Sequence, residues 1–386
     1  MRATLLVLDS VGIGAMPDAP EWGDAGSDTL GHVAQAMGGL RLPNLAALGL
    51  GNIRPIEGVA PSASPQGGFG KMALRSDGKD TVTGHWEMAG CLVPRRFAFF
   101  PEGFPPAIIG PLEAAIGKAV LGNKAASGTE ILDELGPQHL ATGRPIVYTS
   151  ADSVLQIAAH EDVVPLDTLY AWCKAAFAIV KPHRVARIIA RPFIGEPGAF
   201  VRTYNRKDFA LEPHAPTIVD ALHAAGARTS GIGKITSIFA GRGFDESVKA
   251  GPNDEVMAAT LATLHKQRSG LVFSNLVDFD ALYGHRRNAR GYGAALERFD
   301  AELPRLIDAM GSDDLLLITA DHGCDPTFLG SDHTREYVPL LVYQGGRGVD
   351  LGTRSSLADV AATLADWLAV RWTGPGQSFA AELGAA

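Results

Sequence analysis

Three apolar runs in this chain stop abruptly on acidic residues. Residues 3–8 read A-T-L-L-V-L before Asp9, residues 271–277 read L-V-F-S-N-L-V before Asp278 and Asp280, and residues 315–318 read L-L-L-I, followed by Thr319, Ala320 and Asp321. Runs of this length rich in Leu, Ile and Val predict strands buried on both faces, as in a parallel sheet. Residues 338–343 predict a further strand, and residues 146–152 and 187–193 two more. Between them lie helical patterns. Residues 29–50 place Leu30, Val33, Met37 and Leu40 at near-helical spacing broken by glycines, and a Gly/Pro/Ser-rich surface connection follows through Gly70. Residues 216–225 predict a helix with Pro216 near its first turn and Gly226 as its stop. Residues 292–310 are amphipathic through Leu296, Phe299, Leu303, Leu306 and Ile307, with Pro304 expected to kink or break the helix. Residues 356–368 predict a closing helix with Ser356 and Asp359 as its capping pair. Alternation of strand and helix makes the core α/β with a largely parallel sheet flanked by helices.

Residues 94–213 break this pattern. Phe97, Phe99, Phe100 and Phe104 crowd together, prolines cluster at 101, 105, 106 and 111, and no strand stops on an acid as the others do. We read residues 98–212 as an inserted α/β cap domain, with 1–97 and 213–386 forming the core. A chain of 386 residues has room for both.

Composition narrows the class further. The hydrophobic fraction of 46% and charged fraction of 20% are those of a soluble globular protein, and no apolar stretch reaches the roughly eighteen residues of a membrane span. A net charge of -8 disfavours nucleic acid and anionic membrane as partners, so an anionic ligand would need local cations. Cys91, Cys173 and Cys324 are odd in number and far apart, which fits a reducing cytoplasm better than a disulfide framework. Nothing in the sequence calls for an obligate protein partner.

The chemistry gathers where the strands end. Ligands of open parallel sheets lie beyond the carboxyl ends of the strands, where this chain places Asp9, Asp280 and Asp321, followed by His285, His322 and His333. Three carboxylates and three imidazoles suffice for two divalent ions, and so much negative charge needs cations to be packed together. A metal pair suits in-line phosphoryl displacement. Residues 80–88, D-T-V-T-G-H-W-E-M, predict a helix starting at Asp80 or Thr81, where free N–H groups would hold a phosphoryl group. Thr81 is the preferred nucleophile because it lies at the helix start, with Thr83 the competing hydroxyl. A dinucleotide reading of G-I-G-A-M-P is set aside because Pro17 stands where the third glycine belongs. Asp152 and Arg191, at the ends of two strands in the insert, are candidate substrate contacts.

The motifs D-S-V-G-I-G-A-M-P-D-A, K-D-T-V-T-G-H-W-E-M, S-A-D-S-V-L-Q-I-A-A-H-E, I-A-R-P-F-I-G, G-I-G-K-I, V-D-F-D-A-L-Y-G-H-R-R and T-A-D-H-G-C-D-P-T-F-L-G-S-D-H-T-R-E-Y-V-P occur in this order over nearly the whole chain. Together they resemble the prokaryotic phosphopentomutases, a family within the alkaline phosphatase superfamily. The resemblance implies an alkaline phosphatase-like core that interconverts the 1- and 5-phosphates of ribose and 2-deoxyribose. It implies two manganese ions, one on Asp280, His285 and His333 and the other on Asp9, Asp321 and His322, with Thr81 as the phosphorylated residue bridging them. It implies priming by a sugar bisphosphate, a sugar-hydroxyl contact at Asp152, and distal-phosphate groups at Arg191 and Lys234. Cys324 is expected to pack rather than ligate, since the harder donors suffice for manganese. A phosphothreonine cycle would pass through a bisphosphate intermediate, and the insert would exclude water from it. Two rival readings are a metal-dependent phosphatase or phosphodiesterase of the same superfamily, which would use the same ligands, and a catalytically silent metal-binding or scaffold protein.

Overall fold

The computed structural model describes residues 1–150 and 153–384, so the candidate Asp152 lies outside the described residues. The chain forms two compact units, Met1–Arg95 with Pro213–Ala386, and Arg96–Glu212. The larger holds an eight-stranded sheet in the order Glu246–Val248, Thr229–Ile232, Gly270–Leu276, Arg2–Leu8, Asp314–Thr319, Val338–Tyr343, Gly68–Met72, Val349–Arg354. Val338–Tyr343 runs antiparallel to both of its neighbours, and every other adjacent pair is parallel. The three strands that stop on acids, Arg2–Leu8, Gly270–Leu276 and Asp314–Thr319, are consecutive in the sheet and buried throughout. In-register parallel pairing of Leu8 with Leu276 and of Val7 with Thr319 therefore brings the residues after them to one edge.

The smaller unit has its own sheet, with Leu121–Ala125, Ile146–Thr149, Val154–His160, Arg187–Ile194 and Val201–Arg202 in that order, and Lys207–Ala210 also paired to Arg187–Ile194. Its core packs the helices Pro106–Ile116 and Leu166–Val180 through Ile108, Leu112, Leu169, Cys173 and Ala176 against Leu155, Ile157 and Ile188.

Three local expectations are corrected. The connection through Gly70 ends in a strand, Gly68–Met72, enclosed between Val338–Tyr343 and Val349–Arg354. A side chain at Gly70 would meet the Gly352 carbonyl at 2.5 Å, so glycine here permits close strand approach rather than a loop. Pro304 does not break the helix Ala289–Asp308. It leaves the carbonyl of Asp300 without its intrahelical donor, and Asn44 Nδ2 donates to that oxygen at 2.9 Å. The side chains of Ser356 and Asp359 do not form a capping pair at the last helix, Asp359–Trp367. The Ser356 hydroxyl donates to Glu87, and the Asp359 carboxylate accepts from Arg354 and from the Gln377 N–H. Among the described residues no helix is long and apolar enough to cross a membrane.

Candidate active site

Asp9 directly follows its strand, Asp321 follows its own after Ala320, and the two are 1% and 0% exposed. Ser10 adopts a left-handed φ of 70°, and its N–H donates to Asp321 Oδ1 at 3.0 Å, which fixes that carboxylate. His322 Nε2 lies 3.3 Å from Asp321 Oδ2 and 3.6 Å from Asp9 Oδ1.

Asp280 and His285 are five residues apart, a spacing that an α-helix would put on different sides. Here Phe279–Gly284 is a single π-helical turn, and the His285 N–H donates to the Asp280 carbonyl at 3.1 Å. The side chains thus converge, with His285 Nε2 3.2 Å from Asp280 Oδ2. His333 joins them, its Nε2 3.4 Å from Asp280 Oδ1 and 3.1 Å from His285 Nε2. The His322 and His333 rings are 3.9 Å apart between centroids, so the two groups of three form one cluster.

These donors fit divalent cations on their own geometry. His285 Nδ1 faces the Ser331 carbonyl at 2.6 Å and His322 Nδ1 faces the Gly323 carbonyl at 3.0 Å. Each Nδ1 must then carry the proton, which leaves the Nε2 lone pair directed into the cluster. Asp9 Oδ1 and Asp280 Oδ1 are buried and accept no hydrogen bond among the described residues. Lone pairs of this kind, converging and unmatched by donors, call for a positive charge.

The charge balance agrees. Burial, together with the neighbouring charges of Asp321 and Asp280, pushes the Asp9 carboxyl up to about 7. Burial would also raise Asp321, but His322 and His85 outweigh it and hold that carboxyl well below its usual range. Burial opposes a charged His322, yet Asp321 and Asp9 push it up to about 10. Asp280 is likewise held low by His333 and His285 against its burial. Cys324 Sγ is also within reach of Asp280 and His285, though burial holds its thiol far above the usual range and keeps it neutral.

Thr81 opens the helix Thr81–Met88, with Asp80 as N-cap. The two hydroxyls are distinguished by their partners. Thr83 Oγ1 is buried and donates to Asp80 Oδ2 at 2.6 Å, whereas Thr81 Oγ1 is 3.2 Å from His322 Nε2. Gly84 lets the helix approach, since a Cβ there would lie 2.2 Å from the Asp321 carbonyl oxygen. At the far end of the helix Glu87 is fully buried and accepts from Arg75 N, Ser76 N, Ser356 Oγ and Leu357 N.

Lys234 precedes the short helix Ile235–Ile238, and its charge acts on Asp9. In the smaller unit Arg191 Nε donates to Gln156 Oε1 at 2.9 Å, and Arg191 lies in the field of Arg206 and Arg202. Crowded guanidinium groups of this kind suit an anion. Sequence reasoning missed His85, Asn275, Glu87 and Glu336. Only their place within charged motifs pointed to the acids. Glu336 is buried and accepts from Gly14 N, Thr29 N, Thr29 Oγ1 and Thr334 Oγ1, tying two loops to the start of the helix Thr29–Met37.

A profile of the Metalloenzyme superfamily matches residues 1–371. The structure of PH0037 protein from Pyrococcus horikoshii covers 97% of this chain and 99% of its own with a TM-score of 0.51 and 14% identity, which establishes a shared fold. The phosphopentomutase of Caldanaerobacter subterraneus subsp. tengcongensis is 55% identical over 385 residues, spanning 99% of this chain and 98% of its own. That of Anaeromyxobacter sp. (strain K) is 54% identical over 384 residues, 99% of each chain. Identity at this level extends over nearly the whole length of both chains, so this chain, within the Metalloenzyme superfamily, belongs to the phosphopentomutase family, which are isomerases.

Proposed function

We propose that the chain interconverts ribose 1-phosphate, or its 2-deoxy form, and the corresponding 5-phosphate through a phosphothreonine at position 81. The observation that carries this reading is the 3.2 Å approach of Thr81 Oγ1 to His322 Nε2. A lone hydroxyl at a helix N-terminus stands beside six converging donors, while Thr83 is engaged elsewhere. Asp280, His285 and His333 would hold one divalent ion, and Asp9, Asp321 and His322 the other. Two Mn2+ ions there would neutralise the transferring phosphoryl group and lower the pKa of the attacking hydroxyl. Their oxygen and imidazole donors suit manganese.

The rest of the cycle falls to the chain and its substrates. A sugar bisphosphate primes the enzyme: one sugar O–P bond breaks as the bond from phosphorus to Thr81 Oγ forms, and the threonine proton passes to the departing sugar oxygen, releasing a sugar monophosphate. The free hydroxyl of a pentose phosphate then attacks that phosphorus, the bond to Thr81 breaks, and a pentose bisphosphate results. Return of its other phosphoryl group to Thr81 releases the isomeric monophosphate. The positive end of the helix that Thr81 opens would favour a phosphoryl group carried there. Lys234 and Arg191 are proposed for the phosphate that is not being transferred, and Asp152 for a sugar hydroxyl. Residues 98–212 are proposed as a cap that keeps water from the phosphothreonine, because hydrolysis is the competing reaction. Three free, buried cysteines support a cytoplasmic setting.

The test is to give primed, manganese-loaded protein ribose 1-phosphate. Ribose 5-phosphate should accumulate, with phosphate on Thr81 by peptide mapping. Release of free phosphate with little ribose 5-phosphate would replace the mutase by a phosphatase.

A further inference from the structure

One fully buried imidazole near the cluster belongs to neither donor group. His85 is 0% exposed, one turn beyond Thr81 on the same helix. Its Nδ1 is 2.9 Å from the Thr81 carbonyl oxygen and 3.1 Å from Asp321 Oδ2. Its Nε2 is 3.3 Å from Asn275 Nδ2, and the same amide nitrogen donates to Asp9 Oδ2 at 3.1 Å. Phe273, on the strand that carries Asn275, stacks on the ring with centroids 6.0 Å apart and planes inclined by 19°.

The proton positions follow from the partners. A carbonyl oxygen beside Nδ1 requires an N–H there, and an amide N–H2 directed at Nε2 requires a lone pair. His85 therefore turns Nδ1–H toward the Thr81 carbonyl and Asp321, and Nε2 toward the Asn275 amide. An unbroken chain of contacts then runs from Asp9 through Asn275 and His85 to Asp321 and to the first turn of the nucleophile helix. Four elements meet in it: three strand ends and the helix.

We propose that His85 and Asn275 are positioning residues that set both carboxylates of the Asp9–Asp321–His322 group for a divalent cation and fix Thr81 relative to them. Asn275 orients Asp9 from behind, leaving Oδ1 free. His85 is the spacer between helix and strand: its N–H edge faces both the Thr81 carbonyl and the carboxylate, so the two cannot shift independently. Supporting groups of this kind commonly govern metal affinity by 10- to 100-fold.

The inference rests on the metal-centre reading, and the experiment separates the two. Metal-free protein is titrated with Mn2+ while free ion is followed by electron paramagnetic resonance, and thermal unfolding of each variant is recorded without metal. Wild type should bind two ions per chain, and failure to do so would refute the centre itself. With the centre intact, His85→Ala and Asn275→Ala should each weaken one of the two ions by about 10- to 100-fold. Their double variant should lose less than the product of the two, because they act through one chain. Where alanine at position 85 prevents folding, His85→Asn and His85→Gln decide. The asparagine amide can replace Nδ1–H and should keep affinity within a few-fold, whereas glutamine places its donor near Nε2 and should not. The rate at which a sugar bisphosphate phosphorylates Thr81, read by intact mass, should follow the same order. Wild-type Mn2+ affinity in folded alanine variants, or equal behaviour of Asn and Gln, would overturn the assignment.

Discussion

Thr81 Oγ1 lies 3.2 Å from His322 Nε2, while Thr83 Oγ1, two residues on, donates to Asp80 Oδ2 at 2.6 Å. One helical turn thus carries one hydroxyl directed at the donor cluster and one spent on capping. Thr81→Ala should lower turnover by at least about 10³-fold and leave metal content intact, as loss of a nucleophile does. Thr83→Ala should keep most activity and cost about 1 kcal/mol of stability through the weakened cap. Steady-state assays with elemental analysis and urea melts check both. Equal losses of turnover in the two variants would remove the distinction.

Gly84 faces the Asp321 carbonyl oxygen at a distance that no side chain allows. Gly84→Ala must push the helix outward and carry Thr81 away from the cluster. We expect about a 100-fold fall in kcat, the scale of a 1 Å misplacement of a reacting group. Pre-steady-state phosphorylation of Thr81 measures it directly, and a variant that transfers at the wild-type rate would show that the approach is not needed.

His139, fully buried in the smaller unit, couples stability to pH. Its Nδ1 faces the Arg144 carbonyl at 2.6 Å and its Nε2 accepts the His160 N–H at 2.8 Å, so neither nitrogen has room for a second proton. Burial, the main cause, lowers its pKa below the usual 6.5. The unfolded chain therefore takes up this proton at a higher pH than the folded one. Its contribution to stability is complete above about pH 6.5 and is lost as pH falls through the folded value, with a limiting slope of about 1.4 kcal/mol per pH unit. Unfolding of His139→Leu, followed from pH 8 to pH 5, should be weaker at pH 8 but flatter than wild type. Parallel curves would rule His139 out as the titrating group.

Asn44 and Pro304 form a compensating pair. Asn44→Ala leaves the Asp300 carbonyl without a donor and should cost roughly 1 to 3 kcal/mol. Pro304→Ala in the same background restores an N–H to that carbonyl and should recover part of the loss. Urea unfolding of the two single variants and the double variant gives the coupling, and simple additivity would contradict it.

The strand ends were legible from sequence because an apolar run stopped by Asp carries its own boundary, and Asp9, Asp280 and Asp321 mark three adjacent strands. The helix start at Asp80 was legible for the same local reason. Less local facts were not. Gly68–Met72 reads as loop because its glycines are demanded by a neighbouring strand that the local sequence does not display. Pro304 reads as a breaker because its remedy, Asn44, lies 260 positions away in the chain. The π-turn joining Asp280 to His285 is invisible to helical periodicity, and His85 and Asn275 look like ordinary members of a helix and a strand until their partners are known.

Glu87 holds the far end of the Thr81 helix with four donors from two other segments, while Gly84 seats its middle against the strand end. A mooring that firm gives the threonine little travel. If a phosphoryl group must reach both ends of a pentose from one fixed post, the turning is left to the sugar, which has to reverse itself or depart and return the other way round. Mobility during the cycle would then belong to the guest and the host would act as an anvil.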